Sequence, residues 1–307
     1  MFVRPWDEMK FLSSLKKADQ TPAEVLNPDG HRAILFSSTT DPFQTIAQQG
    51  NSAQAKKLHN ALEANVVRAL ELILENSSLP VRILTRSPLA VKHFALMKRF
   101  GDRLLFGMSL PSLNHRWTDI YEPGAPHPHK RLETLQKAKA AGLNVYVAVA
   151  PTYPECGDDD LRQTLTAIKG LDPVTVFHEP INIRGENVER IRVHAEANGV
   201  ALDTEVYGDR NKWRQYAVNQ LITMQRVARE VGLENCLHLW PDPALGAQGP
   251  FIEARQAAYL AGHPDALESP SDRQRRSEED VRAFLRFRGW LDVAWKRISE
   301  WPGEEVA

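Results

Sequence analysis

The chain has 307 residues, 42% apolar and 25% charged, which supports a sizeable core in one large α/β barrel or two ordinary domains. A net charge of −1 excludes a broadly basic surface, so any nucleic-acid partner must be met by a local cleft. No apolar run suits a bilayer span, Met1 to Trp6 lacks a secretory pattern, and Cys156 and Cys236 make no disulfide framework; the expectation is a reduced, cytoplasmic protein with no membrane partner.

The first 30 residues predict a short helix, Trp6 to Lys16, and then a polar loop. His31 to Ser37 is the first clear strand, with a small polar loop at 44–54 after it. Leu58, Leu62, Val66, Leu70 and Ile73 recur at helical spacing and predict a helix from about Lys56 to Glu75. Val81 to Leu84 is a strand, Val91, Phe94 and Ala95 mark a second helix, and Leu104 to Met108 is a third strand. Pro111 to His129 holds four prolines and no periodicity, which predicts an ordered loop over a strand end. A helix from about Lys130 to Ala141 should stop at Gly142. Asn144 to Ala150 is continuously apolar and rich in valine, as a strand buried on both faces should be.

Asp158 to Lys169 reads as a helix with acidic residues where its dipole favours them. Val174 to Phe177 is a strand, Asn187 to Ala197 a helix, and Ala201 to Tyr207 a further strand. Trp213, Ala217, Leu221, Met224, Val227 and Val231 form another amphipathic stripe, and Leu237 to Trp240 a last short strand. A polar linker from Gly262 to Arg276 precedes an apolar stripe, Val281 to Ile298, which predicts a terminal helix. The alternation of strand and helix predicts a parallel sheet closed or nearly closed into a barrel. The expected organisation is an amino-terminal segment, 1–30, a barrel core, 31–245, and a linker with a helix, 246–307.

Polar residues follow the apolar runs one after another. Ile34-Leu35-Phe36 leads to Ser37-Ser38-Thr39-Thr40-Asp41-Pro42, Val81 to Leu84 leads to Thr85-Arg86-Ser87, and Leu104 to Met108 leads to Ser109. Val145 to Ala150 leads to Pro151-Thr152-Tyr153-Pro154, and Val174 to Phe177 leads to His178-Glu179-Pro180. Reactive groups of βα barrels sit at the carboxyl ends of the strands, so these residues locate a site.

Two longer motifs join them: Tyr121-Glu122-Pro123-Gly124-Ala125-Pro126 with Arg131 beyond it, and Gly142-Leu143-Asn144 running through the valine-rich strand to Pro154. In this order the motifs resemble the spore photoproduct lyase branch of the radical SAM superfamily, over roughly residues 30–180. The resemblance implies a partial parallel (βα) barrel, TIM-barrel-like, that holds S-adenosylmethionine across its strand ends. It implies ligand contacts at Ser38, Asp41, Arg86 and Ser109, with Glu179 a further candidate. The residue types suit the ligand: a zwitterionic amino acid needs an anion or hydroxyl for its ammonium and a cation for its carboxylate. Glu122 and Arg131 match the family's Glu-Pro…Arg motif and imply a buried pair that shapes the loop over the site.

Members of that superfamily hold a [4Fe-4S] cluster with three cysteines at CxxxCxxC spacing, and this chain has no such motif. The resemblance then implies that Met1 falls just after the cluster loop and that the first strand is missing with it. In its full-length form the protein would generate a radical from S-adenosylmethionine and act on an unknown substrate, with nucleic acid the candidate by analogy to the family. A second reading is a non-catalytic barrel that binds S-adenosylmethionine or a nucleotide. A third is a cluster-independent hydrolase that uses Glu179 with Glu205 or Asp41 as paired carboxylates, with Trp240 for sugar stacking.

Each residue also has a structural reading. Asp41 before Pro42 suits a turn, Ser109 can satisfy a strand end, and Glu122–Arg131 can be an ion pair alone. His115, His127 and His129 share a proline-rich stretch without the spacing of a metal site, and no glycine-rich phosphate loop is present. The arginines between Arg273 and Arg288 alternate with acids and read as a solvated face. Cys156 lacks a neighbouring histidine and reads as inert.

Overall fold

The structure, a computed structural model, describes residues 6–20, 33–36, 40–45, 52–183, 186–208 and 210–239. Six parallel strands form one sheet in sequential order. They are β1 (Ile34–Phe36), β2 (Val81–Thr85), β3 (Leu104–Ser109), β4 (Asn144–Thr152), β5 (Thr175–Pro180) and β6 (Leu237–Leu239). Between them run α2 (Ser52–Asn76), α3 (Phe94–Lys98), α4 (His115–Tyr121), α5 (Pro128–Ala140), α6 (Asp158–Lys169), α7 (Asn187–Ala197) and α8 (Arg210–Val231); α1 (Glu8–Gln20) precedes the sheet. Strands taken in chain order with helical crossovers are the winding of a βα barrel, and among the described residues the sheet stays open between β1 and β6. The fold is a partial α/β barrel.

Burial follows the two-residue period of the strands. Val81 and Ile83, Leu104, Phe106 and Met108, Val145, Val147 and Val149, and Val176 and His178 are all sealed from water on the face that carries helices. Each such aliphatic side chain contributes about 1.5–3 kcal/mol relative to exposure. The opposite face, the lumen side of a barrel, carries Arg82 and Leu84, Gly107 and Ser109, Tyr146 and Ala148, and Phe177. Its centre is crowded at one point: the Tyr146 ring lies so close over Gly107 that a Cβ there would come within 2.3 Å of it.

The stripes that predict α2 and α8 run into the buried core, and α6 buries a stripe of its own behind the acidic first turn that predicts it. Leu70 and Ile73 of α2, Leu161, Leu165 and Ile168 of α6, and Ala217, Leu221, Met224 and Val227 of α8 are fully buried. Glu8 of α1 grips Arg68 of α2 through two hydrogen bonds, at 3.0 and 2.8 Å, which packs the amino-terminal segment on the first crossover helix. Gly142 ends α5 with φ 83°, a conformation glycine adopts without strain.

Several expectations are corrected. Residues 201–207 form no strand: they end in a single 3-10 turn, Glu205–Tyr207, because the run lacks a neighbouring strand edge to pair with among the described residues. The proline-rich stretch is not all loop, since Asn114 caps Arg116 N–H at 3.2 Å and starts α4 between the prolines. The second predicted helix begins as a 3-10 turn, Pro88–His93, capped by Ser87, and becomes α-helical only at Phe94. α2 starts at Ser52 and α5 at Pro128, earlier than the apolar periodicity marks, because polar first turns carry no stripe. Ser38, Trp240 and everything after it, including the predicted linker and terminal helix, lie outside the described residues. Among the described residues no helix is long and apolar enough to cross a membrane.

Candidate functional site

The carboxyl ends of β1, β2 and β3 bring Asp41, Arg86, Glu122, Arg131 and Ser109 into one hydrogen-bonded chain. Asp41 sits in the turn after β1. Its Oδ1 accepts from the Phe43 N–H at 2.9 Å and from the Thr85 hydroxyl at 2.6 Å, and its Oδ2 accepts from the Arg86 N–H at 2.6 Å. Three donors from two loops fix the carboxylate plane and leave Oδ2 with accepting capacity for one more donor.

Arg86 follows β2 by one residue. Extending the β2–β3 register past Thr85↔Met108 sets it beside Ser109, and Ser109 pairs onward with Ala148, so the three share one row across the lumen face. The Arg86 Nε donates to Glu122 Oε1 at 2.5 Å, and among the described residues its two terminal nitrogens donate to nothing. Its side chain is 42% exposed, so that open edge of the guanidinium is accessible. Burial opposes the charge on Arg86, and the Glu122 carboxylate outweighs it, raising the guanidinium above its ordinary value.

Glu122 is shared. Its Oε2 accepts from Arg131 Nη1 at 2.6 Å, and Arg131 is 1% exposed. Arg131 also donates through Nε to the Pro126 carbonyl at 2.7 Å and through Nη1 to the Ser109 carbonyl at 3.2 Å. One buried guanidinium therefore ties the Glu122–Pro126 loop to the end of β3. The Glu122–Arg131 pair implied by the Glu-Pro…Arg motif is present as a contact, and it reaches Arg86 as well.

The Ser109 hydroxyl donates to the Ala150 carbonyl at 2.8 Å and is buried, which commits its hydrogen to β4 and leaves its oxygen able only to accept. Glu179 lies on β5, half-buried, on the lumen side of the strand, because the adjacent His178 points into the helix-covered core. Val149 pairs with His178 and Thr152 with Pro180, so the β4 irregularity between them sets Glu179 opposite Ala150 and Pro151, where it continues the rim. Glu205 leaves the picture: it lies in the 3-10 turn, its side chain is 85% exposed, and it pairs with Lys212 at 3.5 Å.

Sequence reasoning overlooked Thr85, the hydroxyl partner of Asp41, although it stands in the buried phase of β2 next to Arg86. It also overlooked Tyr153. That ring stacks on Tyr121 with centroids 4.1 Å apart, and its phenol is sealed from water with no hydrogen-bond partner among the described residues. Burial, with the Glu122 charge nearby, pushes this phenol well above its ordinary pKa. Glu155 completes a clasp below the loop, accepting from the Tyr121 hydroxyl at 2.7 Å and from the Asp203 N–H at 3.1 Å.

The cysteines do not approach this rim as ligands. Cys156 is fully buried with its thiol pushed well up by burial, and Cys236 lies by β6 with its thiol raised in the same way. His115, His127 and His129 stack in a file, with ring centroids 5.3 and 5.4 Å apart. Neither these nor any other group of three His, Cys, Asp or Glu among the described residues is arranged to hold a metal ion.

No family model matches the chain. Over 165 residues it is 32% identical to the uncharacterized protein ORF301 of Acidianus two-tailed virus, covering 52% of this chain and 50% of that protein. Over 173 residues it is 30% identical to the uncharacterized protein Rv2578c of Mycobacterium tuberculosis, covering 53% of this chain and 45% of that protein. The chain spans about half the length of the curated relatives it matches. Among solved structures it is similar to spore photoproduct lyase complexed with dinucleoside spore photoproduct, with a TM-score of 0.52 and 16% identity over 75% of this chain and 64% of that one. A spore photoproduct lyase mutant with bound AdoMet and dinucleoside spore photoproduct superposes equally well, with a TM-score of 0.52 and 16% identity. At that identity the likeness is one of fold: the chain has a spore photoproduct lyase-like partial α/β barrel.

Proposed function

We propose that this chain is an S-adenosylmethionine-binding barrel of the radical SAM type, similar to that of spore photoproduct lyase. The observation that supports it best is the Asp41–Arg86–Glu122 chain at one rim, which offers an anion with spare accepting capacity beside a guanidinium with an open edge. Asp41 would take the ammonium of the ligand's amino acid and Arg86 its carboxylate, in the fork geometry that arginine offers. Ser38, Ser109 and Glu179 are the further ligand contacts in this reading, Ser109 only as an acceptor for a ribose hydroxyl.

A bound S-adenosylmethionine would supply an activated sulfonium. A [4Fe-4S] cluster does not fit the residues present: the chain has two cysteines, set apart and raised in pKa by burial, where a cluster needs several thiolates. No radical step is therefore assigned to these residues, and cluster ligands would have to come from outside the given 307 residues. The same mismatch favours a binding role for the chain as it stands. A nucleic-acid substrate is carried over from the dinucleoside-bound neighbour alone. The hydrolase reading loses its Glu179–Glu205 pair, since Glu205 is not at a strand end.

Equilibrium dialysis with labelled S-adenosylmethionine tests the proposal. The wild-type chain should bind it, and Asp41→Asn and Arg86→Gln should each weaken binding at least about tenfold, a loss of one charge-assisted contact. Binding that is absent, or indifferent to both substitutions, would remove this function.

A further inference from the structure

The Asp41 carboxylate is held on one side by Thr85 and Arg86, which belong to β2 and its end. Its third donor, the Phe43 N–H, belongs to its own turn, so the carboxylate keeps its plane only while that turn is anchored. The anchor is visible. Phe43 is 4% exposed, and its ring stacks on His93 with centroids 5.5 Å apart and planes 17° from parallel. His93 closes the 3-10 turn that starts immediately after Arg86 and Ser87, so the ring stack fastens the Asp41 turn to the segment carrying its other partners. His93 is oriented in turn by α2: its Nε2 lies 2.8 Å from Glu63 Oε1.

Glu63 is not a passing surface acid. Lys92 at 3.5 Å and His59 at 3.7 Å also face it, so cationic or donor groups from α2 and the 3-10 turn converge on one half-buried carboxylate. Burial opposes its charge, and the His93 bond with the Lys92 charge outweighs burial, holding Glu63 below the ordinary carboxylate range. The carboxylate thus stays an acceptor for His93 throughout the neutral range. The group is not a metal site, since no three of its ligating side chains are arranged to hold an ion.

We infer that Glu63 and His93 are positioning residues for Asp41, acting through the Phe43 ring. Their importance for ligand binding rests on the proposed role of Asp41, but the positioning itself does not. A rotated His93 ring would release Phe43, and the Phe43 N–H would then leave Asp41 Oδ1, which frees the carboxylate to swing about its remaining contacts. A residue that orients a ligating group in this way commonly tunes its grip without touching the ligand.

Amide hydrogen exchange on the full chain, with no ligand added, tests the inference. The Phe43 and Arg86 amides both donate to Asp41, and Val147 in the middle of β4 serves as the control for global unfolding. In Glu63→Ala and His93→Ala the Phe43 and Arg86 amides should exchange about tenfold faster or more, with Val147 unchanged, as expected of local opening. His93→Gln keeps a donor for Glu63 and has no ring to stack, and it should behave like His93→Ala. Wild-type exchange at Phe43 in any of these three variants would overturn the inference. Dialysis with S-adenosylmethionine on the same proteins separates the two ideas: a wild type that binds nothing ends the role of Asp41 in binding, while the exchange data still decide the positioning.

Discussion

Removing the charge of Glu122 would leave the Arg131 guanidinium, sealed from water, without its carboxylate partner and would strip Arg86 of the carboxylate its Nε donates to. A buried ion that loses its partner typically costs about 3–5 kcal/mol, far more than the pair contributes in net terms. Glu122→Gln should therefore lower the unfolding free energy by about 3 kcal/mol or more in urea titration. Glu122→Gln combined with Arg131→Met should cost less than Glu122→Gln alone, because no buried charge is then stranded; a double variant weaker than the single would contradict this account. His178 obeys the opposite logic. It is sealed in the core with the Thr152 hydroxyl, at 3.1 Å, as its hydrogen-bond partner among the described residues, and burial lowers its pKa to about 3. The unfolded chain takes up a proton at this residue near pH 6.5 and the folded chain does not, so stability falls with acidification through that whole interval. The slope from this one group is about 1.4 kcal/mol per pH unit between about pH 6.5 and about pH 3. His178→Gln should flatten the pH dependence of unfolding by that slope, and an unchanged slope would show that the histidine titrates in the native state.

At the scale of elements, β1 is the exposed margin. It has three residues, one strand partner among the described residues, and Leu35 half exposed at its centre. Unpaired strand edges invite pairing with another chain, and lysine is a common means of blunting them. The wild-type chain should self-associate at about 10–100 μM and Leu35→Lys should suppress it. A wild type that stays monomeric by sedimentation at these concentrations would refute the prediction. Elements with a long apolar pattern were legible in the sequence: the stripes of α2 and α8 recur at helical spacing, and β4 reads as a short, continuously apolar run rich in valine. Elements defined by capping were not. α4 has seven residues between prolines and depends on Asn114, and the Pro88–His93 turn depends on Ser87, signals too short to show as periodicity. Residues 201–207 show the converse, since their strand-like composition met no neighbour to pair with. Of the site, Asp41, Arg86 and Ser109 were visible because each ends or follows a strand, and Glu122 and Arg131 because they match the Glu-Pro…Arg motif of the family the chain resembles. Thr85, Tyr153 and the Glu63–His93 pair were not, because their roles come from contacts across as many as 44 positions of chain.

For the molecule as a whole, the open sheet and its rim set what the chain can do unaided. The helix-covered face supplies the buried core, and the lumen face ends in the charged rim. The rim has a property that follows from its arithmetic of sign. Asp41, Arg86, Glu122 and Arg131 alternate negative and positive, so the array carries no net charge. An isolated monopole, whether acetate, a simple amine or inorganic phosphate, finds an opposite pole there and a like pole beside it. A molecule carrying both poles at amino-acid spacing meets both favourably. On the proposed binding role the rim should favour dipolar ions over either monopole, and its grip should change little between dilute and concentrated salt, since screening weakens attraction and repulsion together.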